Sequence, residues 1–162
     1  MRVVSDTSPV SNLAIIGRLD LLRRLYGEVL IPPAVEEELS RLYHAEGRAA
    51  VSAALDSGWL KIAVPATPPS PILQLDAGET ESIALVLTEP GTLLLMDETE
   101  GRAAARSRGI ALAGAVGVLI AARRKGWIPA LKPELFALRS QARFFLAAKF
   151  FSDALHAVGE TV

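Results

Sequence analysis

Thr92-Leu93-Leu94-Leu95-Met96-Asp97 decides the fold class: a run with no polar alternation ends directly in an acid. A strand apolar at successive positions has both faces covered, as in a parallel sheet between helices, whereas a half-exposed strand alternates. Just upstream, Asp76-Ala77-Gly78-Glu79 opens a long helix. Asp76 is placed as its N-cap, Glu79 stands three residues on as in a capping box, and Ile83, Ala84, Val86 and Leu87 form the apolar side. Downstream, Glu100 to Arg108 reads as helix, Ile110 to Ala113 as a brief strand, and Val116 to Lys125 as a helix closed by Gly126.

The amino-terminal part repeats this alternation. Arg2 to Ser5 is a β-branched run that delivers Asp6 into the loop DTSP, after which Pro9 is expected to open a helix. A second short helix ends at Gly27, and Glu28 to Ile31 forms the next strand. Pro32-Pro33 stops that strand and presets a helix carrying Glu36, Glu37 and Glu38. Ala45 to Ser57 is a further helix stopped by Gly58, Leu60 to Val64 a strand, and the proline-rich residues 65–71 a rigid connector too short to divide domains. Strands thus alternate with helices to residue 126, the pattern of an α/β fold with helices on both faces of a parallel sheet. From Lys132 to Val158 the chain reads as one or two amphipathic helices rich in Phe: Phe136, Phe144, Phe145, Phe150 and Phe151.

The composition restricts the chemistry. The 162 residues carry 17 Lys and Arg against 18 Asp and Glu, with two His and no Cys. One domain is expected over residues 1–162, and a chain of this length buries enough surface to fold without disulfides or zinc. Cysteine-based metal sites are excluded, and His44 and His156, which have no visible partners, leave little for a His-based site or triad. No stretch reaches the roughly 18–20 apolar residues of a membrane span, and the amino terminus lacks a signal-peptide pattern, so a cytoplasmic location is expected. Charge is uneven: residues 1–100 hold 15 acids and 7 bases, whereas residues 101–162 hold 3 acids and 10 bases. That asymmetry suits an acidic centre for cations beside a basic surface for a polyanion, or else uneven solvated helix faces.

In an open parallel sheet the ligand site lies beyond the carboxyl ends of the strands, where strand order reverses. Asp6 and Asp97 fall at two such ends, although each could simply cap the following helix. Glu38, with Glu36 and Glu37 as alternatives, and Glu79, with Glu81 as its competitor, could project toward them from helices; an acidic run is also an ordinary solvated face. Carboxylates without His or Cys are the ligand set that Mg2+ and Mn2+ select, and such an ion can activate water for phosphodiester hydrolysis. Thr7, Ser8 and Asn12 offer short groups to orient a ligand, though Ser8-Pro9 equally serves as a helix start. Arg102, Arg106, Arg108, Arg123, Arg124 and Lys125 could track an RNA backbone or form a solvated basic face. The phenylalanines are expected to serve packing or oligomer contacts rather than base stacking.

Residues 3–39 (VVSDTSPVSNLAIIGRLDLLRRLYGEVLIPPAVEEEL), the block LDAGETESIALVL and the block TLLLMDETEGRAAARSRGIALAGAVGVLIAARRKG together resemble a PIN domain of the VapC-like toxin group. The similarity runs from residue 2 to about residue 128 and fits a branch whose third acid comes in a Gly-Glu helix start. It implies a three-layer α/β/α fold with a central parallel sheet and, beyond it, a helical tail over about residues 131–160. It also implies a Mg2+- or Mn2+-dependent ribonuclease, the toxin of a pair restrained by a small antitoxin protein, assembling as a homodimer or higher homo-oligomer. On that resemblance Asp6, Glu38, Glu79 and Asp97 are the metal-binding acids, Glu79 being one carbon longer than the Asp many PIN domains carry there. A PIN-like module that binds RNA or protein without catalysis is the alternative. Receiver-like and haloacid-phosphatase-like readings rank below both, because no Lys follows Ala113 and no Asp-x-Asp occurs at Asp6.

Overall fold

The computed structural model describes residues 1–162 except Leu73 and Pro90. In chain order the described elements are β1 (Val3–Ser5), α1 (Thr7–Ile15), α2 (Asp20–Tyr26), β2 (Val29–Ile31), α3 (Pro33–Ser40), α4 (Ala45–Ser57) and β3 (Leu60–Ile62). They continue with α5 (Ala77–Leu87), β4 (Leu93–Leu95), α6 (Thr99–Ser107), β5 (Ala111–Ala113), α7 (Ala115–Arg124), α8 (Lys132–Ser140) and α9 (Ala148–Ala157). All four strand pairings are parallel, in the order β3-β2-β1-β4-β5. The chain builds outward from β1 to β3, then returns across the sheet to place β4 on the other side of β1.

Alternation along the central strands sorts side chains between two cores. Val3, Val29, Ile31 and Leu95 join the larger one, with Val10, Leu13, Val35, Leu39, Val118 and Leu119 from the helices. Val4, Leu30, Leu94 and Met96 point to the other face, where Ile83, Val86 and Ala105 of α5 and α6 cover them. The sheet is therefore sandwiched, and this double burial is why β4 reads as an unbroken apolar run.

Helix α1 begins at Thr7, two residues before the expected start at Pro9; the proline falls within the first turn, where its missing N–H has no intrahelical partner to lose. Helix α5 carries the expected capping box: Glu79 N–H donates to Asp76 Oδ1 at 2.8 Å, and Asp76 N–H donates to Glu79 Oε1 at 3.2 Å. His44, which had no partner visible in the sequence, caps α4 by accepting from Gly47 N–H through Nδ1 at 2.9 Å.

The tail is built into the larger core through Leu135, Leu138, Leu146, Phe151 and Leu155. Glu160 fastens it. Its carboxylate accepts from Leu131 N–H at 2.7 Å, Lys132 N–H at 3.1 Å and Arg123 Nε at 3.1 Å, satisfying donors at the start of α8. Burial pushes this carboxyl up, but the three donors together outweigh it and hold it below its ordinary value. Stability from Glu160 is accordingly complete above the unfolded value of 4.5 and lost as pH falls through the lower folded one. Glu160→Ala is expected to lower Tm at neutral pH by about 3–10 °C, the effect of ~1–3 kcal/mol of unsatisfied donors in a chain of this size, and Glu160→Gln by less. Thermal melts check this; an unshifted Glu160→Ala would contradict the fastening role.

Candidate active site

Asp6 directly follows β1, and Asp97 follows β4 after one residue, so both stand at the carboxyl edge where strand order reverses. Asp6 is 3% exposed and occupies the N-cap position of α1, yet its side chain makes no capping hydrogen bond. The cap explanation thus fails for the very group that would need one. At α6 the N-cap residue is Glu98, and Asp97 instead reaches α7, whose own cap, Gly114, has no side chain. Ala115 N–H donates to Asp97 Oδ1 at 3.0 Å, while Asp97 Oδ2 is buried without a hydrogen-bond partner. One oxygen is structural and the other is free.

Glycines make the room. A Cβ on Gly78 would stand 2.6 Å from Glu38 Oε1 and 3.4 Å from Asp6 Oδ1, so a side chain there would displace the Glu38 carboxylate from its place beside Asp6. Likewise a Cβ on Gly101 would lie 2.7 Å from Glu79 Oε2, and one on Gly114 would lie 2.5 Å from Asp97 Oδ1. Each of the four sequence-nominated acids is therefore seated against a glycine in or next to the first turn of a helix.

Burial, with nearby carboxylate charge adding, pushes these acids toward their neutral forms. Asp6 rises from 3.8 to about 8, chiefly by burial, with the charges of Asp76, Glu79 and Glu38 adding and the Thr7 backbone N–H opposing. Glu79 rises to about 7, first by burial and then through the charges of Asp76 and Glu98 against the Asp76 N–H. Asp97 rises to about 6 by burial, against Ala115 N–H, the Arg102 charge and the Asn12 side chain. Glu38, more exposed, is raised by burial and Asp76, with Thr7 and Arg41 pulling the other way.

The remaining nominees divide. Glu81 accepts from Ala34 N–H at 3.2 Å, capping α3, and it is Glu79 whose charge acts on Asp6. Thr7 Oγ1 is buried near Glu38 without a well-formed hydrogen bond, Asn12 lies beside Asp97, and Ser8 Oγ donates to Glu98 Oε1 at 3.4 Å. Arg102 stands at Asp97, with Nη1 donating to the Met96 carbonyl at 2.7 Å. Arg106 is exposed, whereas Arg123 is held by Glu160 and Arg124 donates to the Ala157 carbonyl at 3.1 Å, so those two fasten the tail. Sequence reading missed the electrostatic part played by Asp76 and Glu98 and the packing part played by the three glycines. The signal was present as a glycine in or next to the first turn of α5, α6 and α7.

The PIN-domain family DUF3368 matches residues 2–160, the whole sheet and the tail together. This chain belongs to the PIN-domain family. No curated protein matches it. Among solved structures, a PilT N-terminus domain protein from the hyperthermophilic archaeon Sulfolobus solfataricus P2 superposes with a TM-score of 0.54 at 18% identity, covering 75% of this chain and 92% of that one. At that identity the likeness speaks for the fold, an α/β PIN fold. PIN domains are typically nucleases and generally use divalent metals.

This PIN domain offers a donor set that fits such an ion: all-oxygen ligands, an orphaned Asp97 Oδ2, and an Asp6 that burial, with neighbouring carboxylates adding, holds toward its neutral form. Among the described residues no group of three acids converges as a ready-made cage. Mg2+ usually keeps several waters and takes one or two carboxylates, so a complete cage is not required.

A carboxyl whose folded pKa exceeds its unfolded value stabilises the fold fully below the unfolded value and loses that contribution as pH rises through the folded one. For Asp6 the window runs from 3.8 to about 8. In EDTA, Asp6→Asn is therefore expected to melt at least ~3 °C above wild type near the top of that window, ~1 kcal/mol at this size, with the gap closing toward acid. A gap independent of pH in thermal melts would contradict the assignment.

Proposed function

We propose that this PIN domain is a Mg2+- or Mn2+-dependent endoribonuclease and the toxin of a type II toxin-antitoxin pair. The observation that carries the nuclease reading is the placing of Asp6 and Asp97 at the reversal of strand order, Asp6 buried and Asp97 half-buried, each with carboxylate oxygen not consumed by capping. Asp6, Glu38, Glu79 and Asp97 would hold the ion. Such an ion, when bound, lowers the pKa of water and polarises a phosphoryl oxygen.

The chain's own residues supply the rest. Asp97, fixed through Oδ1 by Ala115 N–H, keeps Oδ2 as the oxygen that would serve the ion. Arg102, anchored on the Met96 carbonyl, directs its remaining donors to a phosphate beside Asp97. Thr7 and Asn12 offer a hydroxyl and an amide that orient the water or the phosphate. Glu79, buttressed by the Asp76 backbone, keeps Oε1 structural and Oε2 toward the glycine at the start of α6.

The toxin role rests on the resemblance to the VapC-like group. A small antitoxin would cover the acidic centre, the protein would form homodimers or higher oligomers, and it would act in the cytoplasm; no helix among the described residues is long and apolar enough to cross a membrane. One observation favours a second reading, a PIN module that binds RNA without cutting it: the absence of a preformed three-acid cage among the described residues.

With mixed single-stranded RNA, cleavage is expected in Mn2+ or Mg2+ and not in EDTA. Asp6→Asn and Asp97→Asn should each reduce it by roughly 10²-fold or more, while Glu81→Gln stays within a few-fold. Cleavage indifferent to EDTA or to both substitutions would refute the proposal, and binding without cleavage in either ion would establish the module instead.

A further inference from the structure

A cavity of about 600 Å³ opens from Asp97 along α6 and α7 to the segment leading into α9, lined among others by Arg102, Arg106, Ile120, Phe145 and Phe150. Packing or oligomer contacts are the roles expected for the phenylalanines, and in this wall Phe144 packs while Phe145 and Phe150 are exposed. Phe136 and Phe151 do pack together, their ring centroids 5.3 Å apart. The extended segment before α9 alternates: Phe144 packs on the larger core, Phe145 points out, and Leu146 is buried. Phe144 N–H donates to the Leu138 carbonyl at 2.9 Å, so anchors on both sides hold Phe145 in solvent at 86% exposure. Phe150, 51% exposed, stands beside it on α9.

Holding two large rings in water is costly unless something covers them. The cover must also suit Arg106, which makes no ion pair among the described residues, and must run to the acidic centre at Asp97. A protein helix would satisfy the rings alone. A single strand of nucleic acid satisfies all three demands at once, with bases on aromatic faces, phosphates on arginine, and backbone continuing to the acids. Gly117 supports this geometry: a Cβ there would meet nothing within 4 Å, so the α7 wall lies open.

We infer that this groove is a nucleobase-stacking subsite for single-stranded RNA, in which Phe145 and Phe150 stack bases and Arg106 and Arg102 hold the phosphates leading to Asp97. The inference rests on the nuclease reading for the identity of the polymer. It makes Phe145 and Phe150 binding residues rather than catalytic ones, with stacking that tolerates different bases and so sets the path of the strand more than its sequence.

The test is fluorescence anisotropy with a short labelled RNA of mixed sequence, on full-length protein in the Asp6→Asn background with Mg2+ present. Phe145→Ala and Phe150→Ala are each expected to weaken binding about 5- to 100-fold. Phe145→Trp should restore it and Phe145→Leu should not, which separates stacking from simple apolar contact. Arg106→Ala should weaken binding and reduce the slope of log affinity against log salt by ~0.7. An oligomer of abasic ribose should bind the parent and Phe145→Ala alike. Unchanged RNA affinity in the Phe145→Ala/Phe150→Ala double variant overturns the inference, as does a parent that binds no RNA. If the double variant instead loses self-association by light scattering with RNA affinity intact, the face is a contact between copies and the inference fails. Absence of cleavage by wild type in any ion refutes the nuclease reading while leaving this phenylalanine dependence readable; cleavage with phenylalanine-independent binding does the reverse.

Discussion

Crowding of carboxylates at the carboxyl ends of β1 and β4 is the constraint on which the rest of this structure depends. Four acids on four different segments stand there at a cost, since each is partly withdrawn from water and Glu79 and Glu38 add their charge to that of Asp76 against Asp6. The fold tolerates this by keeping Asp6 protonated near neutrality, by tying one oxygen of Asp97 and one of Glu79 to helix starts, and by removing side chains at Gly78, Gly101 and Gly114. The remaining oxygens share one edge of the sheet. Such an arrangement has no value for stability and so points to a ligand that neutralises it.

The two faces of the site follow from that edge. Toward α3 and α5 the neighbours are acidic, with Asp76 adding to the nominated set, while Glu98 at the start of α6 lies between the two sides. Toward α6 and α7 they turn basic and aromatic, from Arg102 at Asp97 to Arg106 and the held-out Phe145. A polyanion lying in the second region with a cation in the first accounts for both, and for the charge asymmetry between the two parts of the chain.

Much of this was legible in the sequence because double burial leaves an unmistakable apolar run at β4 and because acids placed directly after strands stand out against it. Asp76 and Glu79 read correctly as a capping box, since that motif is local. Choosing Glu79 over Glu81 required helix phase in three dimensions: only the structure shows Glu81 spent on Ala34 N–H. Arg123 and Arg124 looked like an RNA surface because their partners, Glu160 and the Ala157 carbonyl, lie more than thirty residues away in the chain. Phe145 was indistinguishable from Phe144 in composition; their opposite fates follow from an alternating segment whose anchors are tertiary.

The central claim is that these acids form one cation site in which burial holds Asp6 toward its neutral form, and calorimetric titration with Mn2+ near neutral pH, in two buffers of different ionisation enthalpy, addresses it most directly. Because Asp6 is held near 8 and Glu79 near 7, binding should release between one and two protons per ion, and Asp6→Asn should abolish the tight binding and with it the proton release. Mn2+ binding with no proton exchanged and no dependence on Asp6, or no binding at all, would contradict the account.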